Sequence, residues 1–168
     1  MNATANNGKS TAGRDANGAD TQQFLTFKLA GEEYGVGILS VQEIRGWSAV
    51  TAIPHSPNWL LGVINLRGAV VPIIDLRIKF NFAKAEYNEF TVVIILNVGT
   101  RVIGVVVDGV SDVITLGSEQ IKPAPSLGNN TDTSHIIGFG TLDERMRILM
   151  DVEKLMASAD LGSIKSLQ

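Results

Sequence analysis

The chain has 168 residues, 45% of them hydrophobic and 18% charged, with a formal net charge of −3. That is ample for one compact core, and the lack of any Lys/Arg cluster argues against a surface that tracks phosphate backbones. With no cysteine in the chain, disulfides, thiolate metal sites and cysteine nucleophiles are excluded.

Residues 1–21 are rich in Asn, Ala, Gly and Thr and carry almost nothing to bury. They are expected to form a disordered tail before a domain over 22–160, with 161–168 frayed. The N-terminus lacks a positively charged start followed by an apolar stretch, and the apolar runs fall far short of the ~18 residues a membrane helix needs. The expectation is a cytoplasmic protein without direct membrane insertion.

Residues 24–29 read as a strand, 31–33 as a turn and 34–38 as the returning strand. From 39 to 45 the period is ambiguous between a helical turn and a strand. Residues 47–53 predict another strand, closed by Pro54. Ser56 as a cap, Pro57 in the first turn and Gly62 as a stop predict a short helix over 56–62.

The stretch GVINLRGAVVPIIDLRI, 62–78, predicts a β-hairpin. Two runs of Val, Ile and Leu flank the tip Asn65-Leu66-Arg67-Gly68, where Gly68 can take the positive φ of a tight turn. Pro72 cannot donate to a ladder, so its strand is an edge or carries a bulge there. A solvent-facing connector near 78–90, with Lys79, Lys84 and Glu86, marks a seam. Residues 91–98 and 101–107 are nearly continuous β-branched runs, expected as strands covered on both faces. One helical turn fits within 116–121, and 123–134 is a polar loop. A second hairpin over 136–150 has the tip Asp143-Glu144, and Asp151 caps a terminal helix from 152 to about 160.

The hairpin pattern repeats. A shift of 76 lays 62–78 over 138–154 without a gap, placing Gly62 on Gly138 and Asp75 on Asp151. A shift of 69 lays 24–44 over 93–113, placing Gly35, Val36 and Val41 on Gly104, Val105 and Val110. These shifts point to internal duplication. Many short strands with turn signals then predict a mainly β fold of two small barrel-like subdomains.

Little in the sequence carries chemistry. His55 and His135 stand far apart without metal-ligand spacing. Gly138-Phe139-Gly140 lacks the third glycine and the following helix of a dinucleotide loop. Asp108, Asp112 and Glu119 lack calcium-loop spacing, and no serine sits in a nucleophile elbow. The expectation is no enzyme, no cofactor and no metal. A ligand-holding barrel remains an alternative, and a single-strand binder is a poor one at this charge.

What remains is a set of charges in apolar strands. Glu43 and Arg45 flank Ile44, while Asp75 and Arg77 flank Leu76. Asp75, duplicated at Asp151, reads as a turn-stabilising carboxylate. Arg67 at a bare hairpin tip points to partner contact, since such turns more often use Asn or Asp. Val41 beside Glu43, with Val36 and Ile38 nearby, suits a groove that receives a helix.

The runs EEYGVGILSVQEIRG (32–46), GVINLRGAVVPIIDLRIKF (62–80), TVVIILNVGTRVIGVVVDGVSDV (91–113) and EQIKPAP (119–125) closely resemble the CheW family of bacterial chemotaxis coupling proteins. The resemblance spans about 24–156. It implies two intertwined five-stranded SH3-like barrels related by a pseudo-twofold, with short helices and a C-terminal helix. It further implies a non-enzymatic adaptor joining the cytoplasmic hairpin tip of chemoreceptors to the chemotaxis histidine kinase, whose regulatory domain shares the fold. Carried over by position, Val41 and Glu43 take the receptor, with Ile38, Val110 and Val113 as groove walls. Arg67 and Gly68 face the kinase regulatory domain, as does the outer face of 91–107. Gly46, Gly62 and Gly138 match glycines of the family pattern and are read as backbone requirements.

Overall fold

A computed structural model describes residues 13–14, 20–82, 85–125 and 135–156. The expected tail over 1–12 and 15–19, most of the 123–134 loop, the helix beyond Met156 and the frayed 161–168 lie outside the described residues.

The strands are β1 (Gly13–Arg14), β2 (Asp20–Leu29), β3 (Glu32–Gly37), β4 (Val41–Gly46), β5 (Leu60–Leu66), β6 (Ala69–Asp75), β7 (Val92–Val98), β8 (Arg101–Val107), β9 (Gly109–Gly117), β10 (Ile121–Lys122), β11 (Ile136–Leu142) and β12 (Arg145–Met150). Short helices α1 (Leu76–Lys79) and α2 (Val152–Met156) follow β6 and β12, and 3-10 turns occupy Ile38–Ser40 and Ser118–Gln120. One sheet runs β1-β2-β3-β12-β11-β10, with β9 on the other side of β2; the second runs β4-β7-β8-β6-β5.

The duplication is visible in this order. Under the two shifts, β2, β3 and β4 fall on β7, β8 and β9, and the β5–β6 hairpin falls on β11–β12. Both sheets therefore have one plan. Even the parallel pairs correspond: Ile73 opposite Gly104 in one sheet is Leu149 opposite Gly35 in the other. The copies are not two sequential barrels, however. The first gives β2 and β3 to one sheet and β4 to β6 to the other, and the second crosses over in the same way. The mainly β, intertwined double barrel that the family resemblance implies is the observed fold.

Three apolar clusters fill it. Leu66, Val71, Ile73, Val93, Ile95 and Val106 line one barrel. Phe24, Ile114, Leu116 and Leu149 line the other. The largest lies between the sheets and draws on both copies, including Leu25, Phe27, Val36, Ile74, Ile94, Val105 and Met150. The unbroken runs of β7 and β8 are explained by this, since one face of each strand points into a barrel and the other into the shared core.

The helix expected over 56–62 is absent. Trp59 and Leu60 are both buried, the Trp59 carbonyl accepts the Asp75 amide, and β5 begins at Leu60. Only a tight turn survives there, closed from the Leu60 amide to the Pro57 carbonyl. The strand expected over 47–53 reduces to one bridge, Thr51 with Val63. The second strand of the central hairpin stops at Asp75, whose Oδ1 accepts the Arg77 amide at 2.9 Å and caps α1. At the other end, β2 starts at Asp20, and β1 pairs with it through Gly13–Thr21 and Arg14–Asp20. Ladder pairing thus reaches into the segment expected as tail.

Candidate docking site

β3 ends at Gly37, and the chain turns through Ile38–Ser40 into β4. That turn leaves Leu39 64% exposed, a large aliphatic side chain with little to bury it. Phe24, Gly37, Ile38, Leu39 and Ile137, with Gln22 and Gln23, line a concavity of about 210 Å³. Ile137 on β11 is 47% exposed. The depression is open and mostly apolar, the shape and chemistry that accept the ridge of an amphipathic helix.

Of the residues expected to form a groove, Ile38 lines this concavity. Val41 and Val110 are half-buried and pack with Ile38 against the central core. Val113 lies opposite Leu25 in the β2–β9 ladder and is exposed. Sequence reasoning missed Leu39 and Ile137. One signal for Leu39 existed: the shift of 69 places it on Asp108, and a site that takes leucine in one copy and aspartate in the other is not an interior one.

Glu43 lies elsewhere. Arg67 Nη2 donates to its Oε1 at 2.6 Å, and Arg45 Nη1 donates to its Oε2 at 3.1 Å. These contacts, the Arg67 hydrogen bond foremost, hold the Glu43 carboxyl below the usual carboxylate range. Since β4 and the β5–β6 hairpin form the two margins of their sheet, the pair links those margins. Arg67 and Gly68 are the two-residue loop between the paired Leu66 and Ala69. Both have positive φ, 51° and 91°, and Asn65 Oδ1 accepts the Gly68 amide. The equivalent tip puts Asp143 and Glu144 at φ 56° and 63°.

The second ionic cluster is buried. Asp75 and Arg77 are 0% and 1% exposed. Arg77 Nε donates to Asp75 Oδ1 and Nη2 to Oδ2, each at 2.9 Å, while Nη1 donates to Asp108 and the Glu86 carbonyl. Tyr87 Oη donates to Asp75 Oδ2 at 2.6 Å. Burial opposes charge on Asp75, but its bonds from Arg77 and Tyr87 outweigh this and leave its pKa lowered. Burial and the Asp75 partner push Tyr87 up to about 12. Asp108 Oδ2 also accepts the Ala30 amide of the β2–β3 turn, so the network ties the expected seam to both sheets. The equivalent of Asp75 in the other copy, Asp151, caps α2 by accepting the Lys154 amide.

Gly62 and Gly138 sit at matching bulges in β5 and β11. A Cβ on Gly62, at φ 152°, would lie 2.1 Å from the Thr51 carbonyl oxygen, and one on Gly138 would lie 2.5 Å from that of Lys122. At Gly46 a Cβ would meet open space, so no backbone requirement is seen there. Among the described residues, no group of three or more His, Asp or Glu is placed to hold a metal ion, and no helix is long and apolar enough to cross a membrane.

The fold and its open groove define a double SH3-like barrel with an exposed apolar concavity at the Ile38–Ser40 turn. The chain belongs to the CheW-like domain family, which matches residues 23–160. It is 53% identical over 146 residues to the chemotaxis protein CheW of Klebsiella aerogenes, covering 87% of this chain and 88% of that one. It is 40% identical over 139 residues to the probable chemotaxis protein CheW of Rhizobium etli, covering 83% and 90%. The crystal structure of the scaffolding protein TtCheW from Thermoanaerobacter tengcongensis aligns with a TM-score of 0.75 at 31% identity, covering 83% of this chain and 94% of that one.

Proposed function

We propose that this chain is a non-enzymatic chemotaxis adaptor that couples transmembrane chemoreceptors to the chemotaxis histidine kinase. The single observation that carries the reading is the open apolar groove at Leu39 and Ile38 on a CheW-like fold. The helical hairpin tip of the receptor docks there, against Ile38 and Leu39, with Val41, Val110 and Val113 extending the contact. The kinase regulatory domain meets the hairpin tip at Arg67 and Gly68. Glu43, assigned to the receptor side by position, holds Arg67, so it joins the two contacts. The protein works in the cytoplasm and reaches receptor arrays through its partners.

Such an adaptor needs no reaction, only patches of modest affinity, because repetition in an array multiplies weak contacts into firm attachment. Control of the kinase then requires only that the two receptor states differ in affinity, by about 1–3 kcal/mol.

The test is a backbone NMR titration of the labelled chain with a soluble receptor hairpin fragment, then with the kinase regulatory domain. Receptor-induced shifts are expected around 37–41 and 110–113, and kinase-induced shifts around 65–70. A silent spectrum with both partners would overturn the coupling role.

A further inference from the structure

The fold builds the Leu39 depression twice. The shift of 69 carries Gln22 to Thr91 and Leu39 to Asp108. Gln22 and Leu39 line the concavity at the Ile38–Ser40 turn. Thr91 and Asp108 line a second one, of about 400 Å³, together with Glu86, Asn88 and Phe90. Each has a large, exposed apolar side chain: Leu39 at 64% in the first and Phe90 at 69% in the second. Shape and exposed apolar surface alone would let a helix ridge settle in either.

Charge separates them. The residues that line the first depression are all uncharged, whereas Asp108 brings a carboxylate to the second. That carboxylate is fixed. Its Oδ1 accepts Arg77 Nη1 and its Oδ2 accepts the Ala30 amide, each at 2.8 Å. The Asp108 amide in turn donates to the Lys28 carbonyl, so neither backbone nor side chain is free to swing aside. The side chain is still 38% exposed and keeps water that a covering ridge would strip away. Its charge is not cancelled either, because Arg77 also serves the buried Asp75, one guanidinium against two carboxylates. An apolar ridge laid there must dehydrate a held, under-neutralised anion, which is costly.

We propose that Asp108 makes docking one-sided: it refuses, at the second depression, the receptor helix that Leu39 accepts at the first, so that each chain takes one receptor hairpin. A duplicated fold needs such a residue. Discrimination between two sites of like shape comes from a cost built into the wrong one as much as from contacts in the right one. Two equivalent helix-docking faces would let one chain bridge two receptors, and repeated bridging would multiply that attachment by avidity. The inference rests on the Leu39 groove being the docking surface.

The test uses the full-length labelled chain and a soluble receptor hairpin fragment, with calorimetry for stoichiometry and backbone NMR for location. The parent chain is expected to bind one fragment, with shifts around 37–41 and none at Asn88, Phe90 and Thr91. Asp108→Leu gives the second depression the side chain of the first. It should raise the stoichiometry from one fragment to two and bring new shifts at Asn88, Phe90 and Thr91. Because that change also removes the bonds from Arg77 and Ala30, Asp108→Asn is measured beside it. Asparagine keeps an acceptor and drops the charge, and the same second set of shifts should appear at higher fragment concentration. If Asp108→Leu does not fold, Asp108→Asn decides alone. Glu86→Gln should leave the stoichiometry at one. Folded Asp108 variants that still bind a single fragment overturn the proposal, as does a second site opened by Glu86→Gln instead. In both cases the shifts at 37–41 persist and the docking reading stands. A parent chain without those shifts overturns the docking reading itself, and this inference with it.

Discussion

Glu43 and Arg67, which the family resemblance assigns to two different partners, form an ion pair with Arg67 Nη2 2.6 Å from Glu43 Oε1. A change at either residue therefore reaches the other. Glu43→Lys or Arg67→Glu is expected to weaken kinase binding, because each disturbs the hairpin tip. The double exchange Glu43→Arg with Arg67→Glu should recover much of the loss. Arg67 is exposed, and exposed ion pairs contribute little to stability, so melting temperatures should barely move. Kinase affinity unaffected by Glu43→Lys would show that the pair has no bearing on that contact.

The buried network behaves in the opposite way. Removing Arg77 leaves the Asp75 carboxylate with no cation at 0% exposure, a change that costs about 3–5 kcal/mol. Arg77→Met is expected to lower the urea midpoint severely, whereas Tyr87→Phe, which deletes one hydrogen bond, should cost about 1–2 kcal/mol. Equal and small effects would mean that the network is not a structural tie.

The same residues set a pH dependence. Asp75 has a lowered pKa in the folded chain, so its contribution is present above the unfolded value of about 4 and is lost as pH falls through the folded value. Tyr87 is raised to about 12. Its contribution is complete below the unfolded value of about 10 and is lost as pH climbs toward 12. Tyr34 is raised too, by burial and then Glu32. Ultraviolet titration should show both tyrosines ionising later than free tyrosine, and Tyr87→Phe should remove the step near 12. Ionisation of Tyr87 near 10 in the folded chain would contradict the Tyr87–Asp75 bond.

At the acidic tip, Asp143 and Glu144 both adopt the left-handed region, which costs a side-chain-bearing residue about 1–2 kcal/mol. Replacing the pair by Asn-Gly, the preferred residues for a two-residue turn with two positive φ values, should raise the melting temperature by about 4–8 °C. The basic tip already has Gly68 at its second position, so Arg67→Asn should gain less. No gain at the acidic tip would mean that the carboxylates there make compensating contacts.

The sequence made the large features legible because they are periodic or repeated. Two constant shifts found both hairpins and both halves of the double barrel. The exchange of strands between sheets was not legible from the shifts, since duplication says which strands are alike and not which of them pair. The helix expected over 56–62 failed because capping residues are a local signal, and burial of Trp59 and Leu60 overrode it. α1 went unseen because the apolar run 62–78 reads as one continuous hairpin, although Asp75, legible as a turn-stabilising carboxylate, caps the turn that follows it. Glu43 reads as a groove residue from its valine neighbours; nothing along the chain says that a residue 24 positions later donates a hydrogen bond to it. The Leu39 groove stayed hidden because a 3-10 turn presents a side chain with neither helical nor strand periodicity.

Gly62 and Gly46 separate two kinds of glycine. Gly62→Ala puts a Cβ onto the Thr51 carbonyl at a φ that alanine disfavours, and a loss of about 2 kcal/mol or more is expected from strain and displacement. Gly46→Ala meets open space and should be neutral in the same denaturation experiment. A neutral Gly62→Ala would mean that the β5 bulge rearranges without cost.

Leu39 offers the cleanest separation of stability from function. It is 64% exposed, so Leu39→Asp removes little buried area and should leave the urea midpoint within about 0.5 kcal/mol of the parent. Its structural equivalent, Asp108, already carries a carboxylate at the matching position, so the local backbone accepts one. If the receptor hairpin docks on the apolar groove, the new carboxylate must lose its water against an apolar ridge, and affinity should fall at least about tenfold, roughly 1.4 kcal/mol. Kinase binding, which we propose at the β5–β6 tip, should be unchanged. The three readings together are diagnostic. Unchanged stability with receptor affinity lost and kinase affinity kept places the receptor on this groove, whereas full receptor affinity in the variant would move that contact to another face of the protein.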